Sequence, residues 1–430
     1  MKHAWGTISC VCAAIGALGF SASLAACGSP TPAASGDGAV GVDATSDATS
    51  PTDRPAASCV GAACPQVRQL SAGYDYTLAL IVDGTVRCWG KNDEGQCGDG
   101  STSVRNRPVS VMNLTGVAQV AAGASHACAR KTDGTVWCWG SGAFGRLGNG
   151  STDNALTPVQ VQGVSGATDL AVGYGHACAV VADATVRCWG RGTELGTGSI
   201  SSSNTAVAVA GLTGVVQVAA SAPATFGGSV GPFTCARKTD GTVWCWGSND
   251  SGQLATGTTD NMPSARMAIA SLVTGAQQLV AGGAHACVVQ AGGAVRCWGN
   301  NLGYQLGDGT QESRATPVAP TGLTGVRAMA LGRDTSCAIL NDGTARCWGA
   351  DSAGQLGRGM LAPLGMRYDA RSAPVVTLTN IVTLALGEDH GCATTMDGVT
   401  RCWGSNSFAQ LGNGTDGSFD GTPTPAAVAW

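Results

Sequence analysis

Cys-Trp-Gly occurs seven times in this chain, at Cys88, Cys138, Cys188, Cys245, Cys297, Cys347 and Cys402. The intervals are 50, 50, 57, 52, 50 and 55 residues. A self-similar period near fifty residues restricts the chain to stacked supersecondary units, none of which can bury its apolar faces alone. In six copies a second cysteine stands ten residues upstream, at Cys128, Cys178, Cys235, Cys287, Cys337 and Cys392. The first copy has Leu78 in that place.

The second copy shows what one unit builds. "VAQVAAG" (117–123) alternates, "HACAR" (126–130) is short and apolar, and "TVWCW" (135–139) is β-branched and aromatic. "PVQV" (158–161) is a short segment led by proline. Gly or Asp-Gly separates these four strands, and no stretch holds a helical period. A three-residue loop, Thr132-Asp133-Gly134, places Gly in the left-handed position of a bulged hairpin turn and sets 130 opposite 136 and 128 opposite 138. The two cysteines then face each other, so the ten-residue interval reads as a cross-strand disulfide. The alternative is a set of small buried thiols. Zinc is disfavoured, because none of these pairs has the two-to-four-residue spacing of zinc ligands. Alternation puts Trp137 and Trp139 on one sheet face and Val136 and Cys138 on the other. A Trp repeated in every unit reads as core between units. Seven four-stranded sheets, each with two faces to cover, predict an all-β, seven-bladed β-propeller.

The N-terminus reads as an address. Lys2 and His3 precede an uncharged run ending in "LAAC" at Cys27, the pattern of a bacterial lipoprotein signal. Residues 1–26 are expected to be removed, with Cys27 lipidated and the protein held on the outer membrane or cell surface. Residues 27–58 carry no aromatic side chain and form a disordered tether. Residues 59–430 make the propeller. Of 19 cysteines, Cys10 and Cys12 leave with the signal and Cys27 is lipidated. An even sixteen remain for an oxidising compartment. Six regular staples are expected: Cys128–Cys138, Cys178–Cys188, Cys235–Cys245, Cys287–Cys297, Cys337–Cys347 and Cys392–Cys402. Cys88, whose usual partner is Leu78, is assigned to Cys97, leaving Cys59 for Cys64. Charged residues are only 12% of the chain and its net charge is −4, without a basic block, which argues against nucleic acid.

"AGASHACARKTDGTVWCWG" followed by "GRLGNG", like "GKNDEGQCGDG" and "GADSAGQLGRG", resembles the repeat of the regulator of chromosome condensation family. The likeness spans about residues 67–430 in seven copies and implies a seven-bladed propeller. It also implies either a nucleotide-exchange role, as in the founding member, or an extracellular protein-binding platform, as in a secreted bacterial relative. The export signal and the missing basic arm point to the second.

No nucleophile elbow, zinc-protease motif or phosphate loop occurs, and no catalytic residue, metal or cofactor is assigned. His126, His176, His285 and His390 share one repeat position and read as structural hydrogen-bonding groups. Two insertions depart from the repeat, at 221–233 and 358–374. They supply the candidate binding residues Phe226, Arg358, Arg367, Tyr368 and Arg371, because loops on a rigid scaffold carry recognition. The expected function is a non-enzymatic, monomeric surface scaffold for a protein or glycan, attached to the membrane only through its lipid. The competing reading is an extracellular hydrolase or lyase acting on a polymer, which requires carboxylates converging at one mouth. Last, the C-terminal "TPTPAAVAW" is expected to add the missing strand to the first blade and so close the ring.

Overall fold

The computed structural model describes residues 65–221, 231–259, 264–269, 273–361, 368–415, 417 and 421–430, with backbone only for 264–269 and 371. The signal, the tether, Cys27, Cys59, Cys64, Phe226 and Arg367 lie outside the described residues.

Each copy folds into one four-stranded antiparallel meander, giving seven sheets in chain order. In the second blade the strands are Val117–Ala122, His126–Lys131, Val136–Gly140 and Ala155–Gln160. The innermost strands of successive blades touch all the way round, and the first, Val67–Ala72, meets the last, Ile381–Leu386. The result is a seven-bladed β-propeller. Helix is confined, among the described residues, to short 3₁₀ turns such as Ala143–Gly145.

The hairpin register follows from the Asp-Gly turn. Arg130 pairs with Val136, Cys128 with Cys138 and His126 with Gly140. Gly134 has φ +77°, and a Cβ there would lie 2.7 Å from the Cα of Gly166. Both the backbone sign and the close approach therefore require glycine. The structure bonds Cys128 to Cys138 with a Cα separation of 4.0 Å, and the five other regular pairs likewise at 4.1 Å. It also joins Cys88 to Cys97.

The two sheet faces of each blade enter different cores. Trp139 packs with Val86, Cys88 and Leu114 of the preceding blade. Val136 and Cys138 pack with Leu170 and Trp189 of the following one. Every repeated indole is fully buried and donates its N–H backward across a blade boundary. Trp139 bonds the carbonyl of Gln96 at 2.7 Å, Trp298 that of Gln253 at 2.8 Å and Trp403 that of Gln355 at 2.9 Å. A large apolar body with one polar tip suits a dry seam in which one carbonyl needs a donor.

The expected clasp is corrected. Thr422–Ala427 pairs with Thr400–Gly404 in its own blade, Cys402 opposite Ala426. The first blade already holds a fourth strand of its own, Arg105–Ser110. The reason lies in the glycine-rich loop after Trp-Gly, which doubles back and lays each proline-led strand against the Cys-Trp-Gly strand of the same copy. Cys138 thus faces Val159. Proline is tolerated there because this is the outer edge strand. The ring closes by packing instead. Trp89 bonds the carbonyl of Gln410 at 2.9 Å, and the Trp430 ring stands edge-on to it at 5.7 Å.

Candidate functional site at the axial mouth

In an antiparallel meander the loop between the first two strands and the loop between the last two leave the sheet at the same end. Those loops make one face of the propeller, and the Asp-Gly hairpins make the other. The axial cavity, about 350 Å³ including its open end, is lined by one inner-strand residue per blade: Ala72, Ala122, Val172, Ala220, Ala281, Leu331 and Leu386. Tyr74, Arg333 and Glu388 join that lining. They come from the two residues after a repeated glycine, the variable pair in Gly-x-x-His.

That pair is charged in three successive blades. It reads Arg333-Asp334 in the sixth, Glu388-Asp389 in the seventh and Tyr74-Asp75 in the first. Arg333 binds the Glu388 carboxylate directly, contacts Asp389 Oδ1 at 3.2 Å and Asp334 Oδ2 at 3.3 Å. A glutamine from the preceding blade holds each aspartate: Gln305 to Asp334 at 2.9 Å, Gln355 to Asp389 at 3.0 Å, Gln410 to Asp75 at 3.3 Å. Where the next blade offers Ala284 instead, the equivalent Gln253 amide nitrogen has no partner among the described residues. One cation thus serves three carboxyl groups directly, and Asp75 has Lys91 as its main opposing charge. Burial raises Glu388 to about 7, against the opposing pull of Arg333, with Asp389 and Asp75 adding to the rise. Burial likewise raises Asp75 to about 6, with Lys91 opposing.

The opposite side of the mouth has the reverse character. The pair in the third blade reads Tyr174-Gly175, without an aspartate, and at the glutamine position the second blade carries Arg146. Its Nε donates to the carbonyl of Ala143 at 2.9 Å and its Nη1 to Ser125 Oγ at 2.9 Å. Arg146 and Arg191 flank the ring of Phe144, with guanidinium carbons 5.6 and 5.9 Å from its centroid. Between the two sides stand Tyr74 and Tyr174, their rings 6.2 Å apart. Around the rim, Leu302, Met360 and Phe408 are exposed on the loops between third and fourth strands.

The described ends of both insertions lie at this face. One joins Val215–Ala220 to Phe233–Lys238, and the other joins Ala345–Ala350 to Tyr368–Pro374. Of the candidate binding residues, Arg358 pairs with Asp369 at the start of the strand Tyr368–Pro374, and Tyr368 is exposed beside Gly303. Arg371 is placed only as backbone within its strand. The mouth residues themselves were missed by sequence reasoning. The signal was available in the non-consensus pairs after each repeated glycine and in Arg146, where five copies have Gln.

The histidines stay out of the mouth's chemistry. His176 Nε2 lies 2.7 Å from Thr234 Oγ1, His285 Nε2 2.9 Å from Ser336 Oγ and His390 Nε2 2.9 Å from Thr77 Oγ1. Burial lowers these three to about 3, so they are neutral. Among the described residues no cluster of three or more metal-ligating side chains occurs.

Two models of the regulator of chromosome condensation (RCC1) repeat match the chain, one over residues 83–130, 133–180 and 292–339. The other matches 67–96, 117–146, 167–194, 233–253 and 326–355. Human probable E3 ubiquitin-protein ligase HERC4 is 38% identical over 76 residues, which is 17% of this chain and 7% of that protein. The chain thus spans a small part of that relative's length. Among solved structures, the Kap60-bound yeast RCC1 (Prp20) structure is similar with a TM-score of 0.68 and 17% identity, over 88% of this chain and 90% of that one. Human WBSCR16 is similar with a TM-score of 0.65 and 23% identity, over 84% and 98% of the two chains. At such identities the likeness concerns the fold. The repeat matches, the seven sheets and the shared architecture together place this chain in the regulator of chromosome condensation (RCC1) repeat family.

Proposed function

We propose that the chain is an exported, lipid-anchored, non-enzymatic scaffold that binds a protein partner with the face bearing the axial mouth. The observation that carries this reading is the asymmetry of that face. A propeller that needed only stability would repeat its consensus loops, yet here charged and aromatic residues gather at one end. Rigid blades hold them, which limits the ordering cost of binding. A similar propeller, Prp20p of Saccharomyces cerevisiae, is described with binding properties toward Gsp1p and histones, which supports a protein-binding face. The anchor rests on the sequence alone: replacing Cys27 with Ser is expected to move the protein to the soluble fraction.

The acidic half of the mouth favours a second reading, a hydrolase or lyase. Glu388, raised to about 7, has the character of a general acid near neutrality. Against it, Arg333 and three glutamines already occupy the carboxyl groups, and the neutral histidines are fixed elsewhere. Affinity capture from the native envelope separates the two. The scaffold predicts that Glu388→Lys loses the partner while Val82→Lys, on the hairpin face, retains it. An unchanged partner profile with Glu388→Lys contradicts it.

A further inference from the structure

We infer that Arg146, Arg191 and Phe144 form an anion-binding hot spot that takes a carboxylate side chain from an acidic segment of the protein partner. This rests on the mouth-face reading above and names the chemistry of its contact.

Arg146 is 5% exposed, and among the described residues no carboxylate lies within ion-pair distance of it. Its polar contacts are a backbone carbonyl of its own loop at 2.9 Å, Ser125 Oγ at 2.9 Å and the Tyr174 carbonyl at 3.3 Å. A buried cation whose direct contacts are all neutral, with the Glu94 carboxylate favouring its charge only from beyond contact distance, is incompletely compensated. Five other copies carry the neutral Gln here, so the repeat does not require an arginine. Arg191 is the reachable partner, its side chain 41% exposed and only 3.8 Å from the buried Glu194 carboxylate. Phe144 lies between them, 49% exposed, with φ 62° and ψ 8°. An aromatic residue held left-handed with half of its surface open to water carries backbone strain. Planar guanidinium groups beside an exposed ring suit a carboxylate approaching bidentately.

The acidic half of the same mouth decides the ligand class. Asp75, Glu388 and Asp389 repel a polyanion such as nucleic acid or an anionic membrane. A protein segment can pair its acidic residue with the arginines and place a basic neighbour toward the carboxylates, which matches both halves.

The test uses the full chain in detergent micelles and a random peptide library displayed on phage. Asp and Glu are expected to be enriched in the selected peptides, and the enrichment to vanish on the Arg146→Gln, Arg191→Gln double variant. An enriched peptide is expected to lose at least about tenfold in affinity when its acidic residue becomes the amide. Phe144→Gly is expected to weaken peptide binding while raising the unfolding midpoint, which separates recognition from folding. Peptides without acidic bias, or binding indifferent to the double variant, overturn the assignment and leave the binding face standing. Displacement by millimolar inorganic phosphate overturns the carboxylate in favour of a phosphate ligand. Failure to select any peptide overturns the face and the hot spot together.

Discussion

The indole Nε1 of Trp89 donates to the main-chain carbonyl of Gln410 at 2.9 Å, across 321 residues of sequence. This contact joins the first blade to the last, and it is the same bond that Trp298 makes to Gln253 between neighbouring blades at 2.8 Å. The closing boundary is therefore built like the internal ones. Trp89→Ala and Trp298→Ala are each expected to cost about 3–5 kcal/mol, measured by chemical denaturation. A closing seam that tolerates Trp89→Ala while Trp298→Ala unfolds the protein contradicts this equivalence.

His126 is the buried histidine that lacks a partner. Its counterparts meet a hydroxyl one residue before a strand cysteine or its Leu78 equivalent, whereas His126 meets Ala177 and neither ring nitrogen is bonded among the described residues. In the fourth blade the same place holds Phe233, packed with Ala286. His126→Phe is expected to raise stability by about 1 kcal/mol and His285→Phe, which loses Ser336, to lower it by a similar amount. Urea midpoints of the two variants moving in the same direction would contradict the account.

Ala184 occupies the turn position filled elsewhere by glycine and has φ 60°. Ala184→Gly is expected to stabilise by about 1 kcal/mol, because the left-handed backbone penalises a Cβ. Thermal melting checks it, and an unchanged midpoint counts against strain at this turn.

Two sets of groups give opposite pH dependences. Unfolded histidines titrate near 6.5, so on acidification the unfolded chain takes up protons that His176, His285 and His390 refuse until about 3. Their contribution is complete above 6.5 and declines as the pH falls through that window. Asp75 is the reverse. With its folded value raised to about 6, its contribution is complete below the ordinary carboxyl range and is lost as pH rises through about 6. Asp75→Asn is therefore expected to gain stability relative to the parent between about pH 4 and 6. A difference that stays flat across that range contradicts the burial of Asp75.

Non-reducing peptide mapping is expected to recover Cys88–Cys97 together with the six ten-residue pairs seen in the structure. Each closes a short loop, roughly 2–3 kcal/mol apiece by chain entropy. Free thiols at Cys128 and Cys138 would contradict the hairpin register.

The blades were legible because their determinants are local. The Asp-Gly turn, the ten-residue cysteine interval and the alternation around Trp139 fix strand, register and buried face within one copy. The closure was misread because it depends on where a flexible glycine-rich loop sends the chain. "TPVQV" looks the same whether it pairs with the strand before it or the strand after it. The mouth was illegible for a different reason. Arg333, Glu388 and Asp75 come from three copies and two chain ends, and only the ring brings them together. A residue such as Arg146 stands out only when the copies are aligned and its neutral equivalents are noticed.

The claim that one face carries recognition is tested most directly by photo-crosslinking in the living cell envelope. A photoreactive amino acid is placed at exposed Leu302 or Phe408 on the mouth face, and at exposed Val82 or Met396 on the hairpin face. Crosslinks to a discrete partner from Leu302 and Phe408, and none from Val82 and Met396, are the predicted result. A discrete partner captured from Val82 or Met396 while the mouth positions stay silent would contradict it.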